Sequence, residues 1–164
     1  MDKVASRFPD PLAVSLYEEF IFRALMFSSL VTLTPDRRVL LGVSSLIFCL
    51  AHFPSDIATF VSYFVGGLVY GYAFLKFQSL WVPVGIHFAW NFFQGQVFGF
   101  PVSGIPSYGL LSTSIAPDAY LNGGEIGPEG SMVGVLARLI ILSWLFLSPA
   151  MQENDSFLIF KRKP

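Results

Sequence analysis

Two adjacent carboxylates, Glu18 and Glu19, stand in an apolar stretch with an arginine four residues on, Arg23. A charge at the centre of a membrane helix costs about 2.5–3.5 kcal/mol on insertion scales, and less near a helix end. Such a cluster therefore asks for a reason. Glu19 and Arg23 fall on one helix face at i,i+4 with the carboxylate N-terminal, the favourable order for an ion pair. That pairing accounts for two of the three charges. It leaves Glu18 over, and a carboxylate held in an apolar site is a group that general acid–base chemistry uses.

The chain has two histidines, and both lie in apolar helical stretches. Phe48 stands one turn before His52, and Asn91 stands one turn after His87. A single buried histidine is more often a satisfied hydrogen-bond partner than a catalyst. Two of two, each with an i,i+4 companion, favour a shared functional site.

Five apolar segments must carry these groups. They span about 12–33, 39–53, 57–77, 80–98 and 132–147. Hydrophobic residues make up 54% of the 164 positions and charged residues 13%. Soluble domains sit nearer about 45–50% and 25%, so both departures point to a bilayer. Isolated strands cannot satisfy their backbone in lipid, which leaves helices. The expected fold is all-α, a multi-pass transmembrane bundle of about five membrane helices. A long Gly-rich loop precedes the last of them. The formal net charge of −1 gives no sign of nucleic-acid binding. A single cysteine, Cys49, excludes an intrachain disulfide. The polar start of the chain does not read as a cleavable signal, so insertion is expected to use the first helix itself.

The division expected is a polar N-terminal segment at 1–11, one domain at 12–149 and a basic tail at 150–164. Residues 99–131 are too long for a plain connector and read either as a flexible loop or as a re-entrant lid over a site. Gly67-x-x-x-Gly71 and Gly95-x-x-x-Gly99 have the spacing that lets helices approach closely, and generic helix packing is their simplest use. Arg37, Arg38, Lys76, Lys161, Arg162 and Lys163 fall on one side of the bundle, and Lys3 and Arg7 on the other. By the excess of basic residues on the cytoplasmic side, the C-terminus is expected in the cytoplasm.

Depth is a separate check on the site. Successive helices alternate in direction, so the start of the first and the ends of the second and fourth share one side. At about 1.5 Å per residue, Glu18 lies about 9 Å into its helix and Asn91 about 10 Å from the end of its own. His87 is one turn deeper, and His52 is near the same surface. Four groups from three helices can thus meet.

The ordered set Glu18-Glu19-x-x-x-Arg23, Phe48-x-x-x-His52 and His87-x-x-x-Asn91 resembles the three motifs of the CAAX-protease and bacteriocin-processing family, also called the Abi family. The resemblance extends from about Leu16 to Gly130, through the Gly-Gly…Gly-Pro-Glu-Gly loop. It implies an intramembrane endopeptidase acting on membrane-associated, prenylated or other peptide substrates within the lipid bilayer. By the match, Glu18 activates water, His52 and His87 hold that water and move protons, and Asn91 stabilises the oxyanion. Glu19 and Arg23 brace the site, and Phe48 lines it. No cofactor is expected; the alternative is a zinc ion held by His52, His87 and Glu18. The sequence departs from the family in Ala24, where glycine is frequent, and in the eleven residues before the first helix, where members usually carry more helices. A second reading is a non-catalytic membrane protein of the same family, acting in bacteriocin immunity or as a scaffold. A third, a small transporter with a carboxylate–histidine relay, is disfavoured by the motif order and by the lack of an inverted repeat.

Overall fold

Most of the long helices start at a side chain that satisfies their first free amides. Asp10 accepts from the Leu12 and Ala13 amides at 2.8 and 3.0 Å, ahead of Pro11 at the first helical position. Asp36 accepts from Arg38, Asp56 from Thr59 and Ser131 from Gly134. In the computed structural model, which describes residues 9–113 and 119–149, these caps open four of the helices.

Helix α1 covers 11–30. It is α-helical over Pro11–Glu19, widens to π geometry over Phe20–Leu25 and returns to α over Met26–Leu30. Helix α2 is Arg37–Ala51, capped by His52. The chain then turns through Phe53 (φ 48°) into Pro54, which cannot continue a helix. Helix α3 is Ile57–Phe77, closed by a left-handed Gln78. Helix α4 is Trp81–Asn91 and continues as a π segment over Phe92–Val97. A short α5, Ala119–Asn122, and two 3-10 turns at Gly124–Ile126 and Pro128–Gly130 lead into α6, Met132–Leu147. The expected all-helical architecture is present, and the described residues contain no strand beyond one Val102–Ile105 bridge.

Helix α3 is central. It packs against α2, α4 and α6, while α1 packs against α4. Phe48, Val69, Tyr70, Ala73 and Leu145 form one buried cluster, and Phe27, Leu40 and Phe74 a second. A Cβ on Gly67 would stand 2.8 Å from the Ser45 Cα, so this glycine lets α2 and α3 cross closely. Gly95 has a different use. Its open face receives Val102 and Ser107 of the loop and no second helix.

Helix α3 is the one helix among the described residues that is long and apolar enough by itself to cross a membrane; α6 is apolar but has 16 residues. Lys76, at the end of α3, donates to the carbonyls of Leu145, Phe146 and Ser148, so α3 and α6 end on the same side. Beyond Arg37 and Arg38 at the start of α2, most outward-facing side chains on α2 and α6 are apolar, among them Leu46, Leu50, Leu136, Ile140 and Trp144.

The described parts of the long loop are held by backbone hydrogen bonds to the preceding helix and to each other. Leu110 and Leu111 amides donate to the carbonyls of Gln96 and Val97, and the Gly104 amide to that of Ile126. Most of the expected N-terminal segment and all of the basic tail lie outside the described residues. With them go Lys3, Arg7, Lys161, Arg162 and Lys163 of the charge count.

Candidate active site

The site is built on a buried ion pair. Glu19 and Arg23 are completely buried, with Arg23 Nε 3.0 Å from Glu19 Oε2. The guanidinium also donates to the Gly67 carbonyl at 3.1 Å, which ties α1 to α3. Its central carbon lies 4.7 Å from the Phe48 ring centroid and 5.5 Å from that of Tyr70. Desolvated cation–π contacts of this kind favour the charged guanidinium.

Glu19 reaches further than its pair. Its Oε1 is 2.8 Å from His87 Nδ1. The His87 ring stacks on Tyr70, with centroids 4.6 Å apart and planes within 11°. His52 is held in a parallel way, its Nδ1–H donating to the Phe48 carbonyl at 2.8 Å. Phe48 and Tyr63 rings lie 4.5 and 4.9 Å from the His52 ring. Both histidines thus have Nδ1 opposite a fixed acceptor. In the neutral imidazole this puts the lone pair on Nε2.

Both Nε2 atoms face Glu18. Glu18 Oε2 stands 3.5 Å from His52 Nε2 and 3.9 Å from His87 Nε2. That oxygen is buried and has no hydrogen-bond partner among the described protein atoms. A carboxylate oxygen and two lone pairs facing one another are three acceptors, which calls for a donor: a water, or a proton on an imidazole.

A cavity of about 360 Å³ opens on this group. Glu18, Phe48, His52, His87 and Asn91 all line it, so the structure brings these five together. Glu19 and Arg23 sit behind them, fully buried. Both polar helices change to π geometry directly beyond the site: the Met26 amide bonds to the Ile21 carbonyl and the Phe98 amide to the Phe93 carbonyl, each five residues back. π segments recur at functional sites because the wider turn re-aims neighbouring side chains.

A zinc ion needs nitrogen and oxygen donors at about 2.0–2.2 Å. Among the described residues no group of three or more His, Cys, Asp or Glu side chains is arranged to hold a metal ion.

Sequence reasoning missed the other wall of the cavity, which includes Tyr63, Tyr70, Ser103, Ile105, Glu129 and Arg138. Glu129 Oε1 accepts from the Ser103 amide and hydroxyl, both at 2.6 Å, and from Tyr63 at 3.3 Å. Its Oε2 accepts from Trp90 at 3.3 Å and lies 3.6 Å from Arg138. Arg138 also donates to Ser62 and stacks 4.4 Å over Trp90. One signal was available: an arginine within an apolar helix is a functional candidate by default.

The family model described as type II CAAX prenyl endopeptidase Rce1-like matches residues 6–93. No curated protein and no solved structure matches the chain. The matched region holds the whole ordered set from Glu18 to Asn91 and covers more than half of the 164 residues. The chain therefore belongs to the type II CAAX prenyl endopeptidase Rce1-like family.

Proposed function

We propose that the chain is an intramembrane endopeptidase that hydrolyses a peptide bond near the C-terminus of a prenylated or otherwise membrane-associated substrate. The observation that carries this reading is Glu18 Oε2 at 3.5 and 3.9 Å from two imidazole Nε2 atoms whose orientations are fixed from behind. A water between Glu18 and the imidazoles gives its proton to Glu18 and attacks the scissile carbonyl. The oxyanion that forms is met by the Asn91 amide. The leaving amine then takes the proton that Glu18 received, directly or relayed through a histidine. Each positioned group of this kind contributes a factor of about 10²–10⁴, and each oxyanion donor a similar factor.

Helices α1, α2, α3, α4 and α6 serve as five membrane passages, of which α3 is the one among the described residues long and apolar enough by itself. The apolar outer faces of α2 and α6 support this reading. Residues 12–149 act as one domain. The C-terminus lies in the cytoplasm and the loop on the opposite side. A cysteine at Ser112, in a Cys49→Ser background, is expected to react with an impermeant thiol reagent in intact cells. Labelling only after lysis reverses this orientation.

No metal enters this mechanism. The protein is purified in nanodiscs and offered a farnesylated peptide, with metal content measured on the same sample. Cleavage that persists in strong chelator is the expected result. Stoichiometric zinc, with activity lost in chelator and restored by zinc, would replace the glutamate base with a metal-bound water.

A further inference from the structure

Among the described residues, Glu129 joins four elements around the cavity. It binds Ser103 of the loop, Tyr63 of α3, Trp90 of α4 and Arg138 of α6. Two of these bonds hold a single residue, Ser103. Ser103 begins a tight turn whose ends are locked by reciprocal bonds between Val102 and Ile105 at 3.0 and 2.9 Å. The turn has positive φ at Ser103 and Gly104, and its Gly104 amide donates to the Ile126 carbonyl at 3.2 Å. It is therefore a rigid unit with two tethers, Glu129 and Ile126. Val102 spends its side chain on the core, at 1% exposed, whereas Ile105 is 38% exposed and lines the cavity that holds Glu18.

We propose that Glu129 is a positioning residue for the proteolytic site: it anchors the Ser103–Ile105 turn, and Ile105 on that turn limits the size of the substrate side chain beside the cleaved bond. The inference rests on the protease reading and names the part of the site that sets its specificity. The physical argument is one of stiffness. A side chain can reject a bulky group only if its backbone cannot retreat, and the charge-assisted bonds from Ser103 to Glu129 supply that resistance. Removing the carboxylate frees the turn, and the hydrogen bonds it removes run to Ser103, Tyr63 and Trp90 rather than to Glu18, His52 or His87.

The test has two arms, both on the full chain in nanodiscs. Hydrogen exchange is measured for wild type, Glu129→Ala and the conservative Glu129→Asp. The Ser103 amide is expected to exchange at least tenfold faster in Glu129→Ala and to recover in part in Glu129→Asp. The Leu110 and Leu111 amides, bonded to Gln96 and Val97, should not change. Equal exchange at Ser103 in wild type and Glu129→Ala would overturn the anchoring role. The second arm uses peptides that differ only in the size of the residue beside the cleaved bond. Ile105→Ala is expected to shift the preference toward the bulkier residue at least tenfold, mainly through KM, and Ile105→Trp to shift it the other way. Unaltered preference in both variants overturns the size claim. A wild type that cleaves no peptide overturns the protease reading and the size claim with it. The exchange result stands apart from activity and alone decides whether Glu129 holds the turn.

Discussion

Two buried glutamate–arginine pairs flank the same cavity, and they are built differently. Glu19 and Arg23 are one helical turn apart and 3.0 Å from each other. Glu129 and Arg138 join a loop to a helix across 3.6 Å. Glu19 has one further partner, His87. Glu129 also accepts hydrogen bonds from Ser103, Tyr63 and Trp90, none of which passes through Arg138. The first pair orients a histidine, and the second holds a wall. A buried charge with few partners depends on its counter-ion, whereas one with many donors does not.

The largest expected effect therefore follows from Arg23→Leu. It strands Glu19, and thermal unfolding in detergent should show a loss of about 3–5 kcal/mol. Arg138→Leu strands a carboxylate that is still hydrogen-bonded, and the expected loss is about 1–3 kcal/mol. Equal losses, or the reverse order, would break the comparison.

A smaller effect is expected within the loop. Gly127 has φ 91°, and a Cβ there would collide with the Pro101 carbonyl oxygen. Gly127→Ala should cost roughly 1–2 kcal/mol, because φ 91° with ψ −178° is a backbone region essentially confined to glycine, and more if the loop cannot shift. Exchange should quicken at residues 101–105 and stay unchanged at α1, a contrast that native-state exchange reads directly.

The smallest effect lies outside both pairs. Asp56 caps α3, and hydrogen bonds from the Thr59 amide and hydroxyl hold its carboxyl below the ordinary range. Since the folded value is depressed, this stabilisation is present in full above the unfolded value of about 3.9 and is lost as pH falls through the folded one. Asp56→Ala should cost about 1 kcal/mol at pH 7 and progressively less than that in acid. A cost that does not change with pH would show that the cap is not the cause.

The contrast between the pairs also marks what the chain made readable. Glu19 and Arg23 announce themselves through i,i+4 spacing, and His52 and His87 through their i,i+4 companions Phe48 and Asn91 in apolar helical stretches. Helix α3 spans Ile57–Phe77, as its apolar run between Asp56 and Gln78 requires. The partnership of Glu129 with Arg138 carries no such periodicity. It depends on the path of a 33-residue loop (Gly99 to Ser131), which tertiary contacts decide. The π segments were equally hidden, since nothing in the residue types of Phe20–Leu25 and Phe92–Val97 separates a π turn from an α turn. Arg138 was legible in part: its place in an apolar helix was a signal, while its partner was not.

The central claim is that Glu18 is the base and that everything around it serves to aim it. The most direct measurement is single-turnover cleavage of a farnesylated peptide by wild type and Glu18→Gln, each checked for unchanged unfolding temperature. Glutamine keeps the shape of the side chain and removes the proton acceptor. The account predicts an intact Glu18→Gln protein whose cleavage rate is lower by about 10²–10⁴ or more; an intact Glu18→Gln protein that cleaves at the wild-type rate would contradict it.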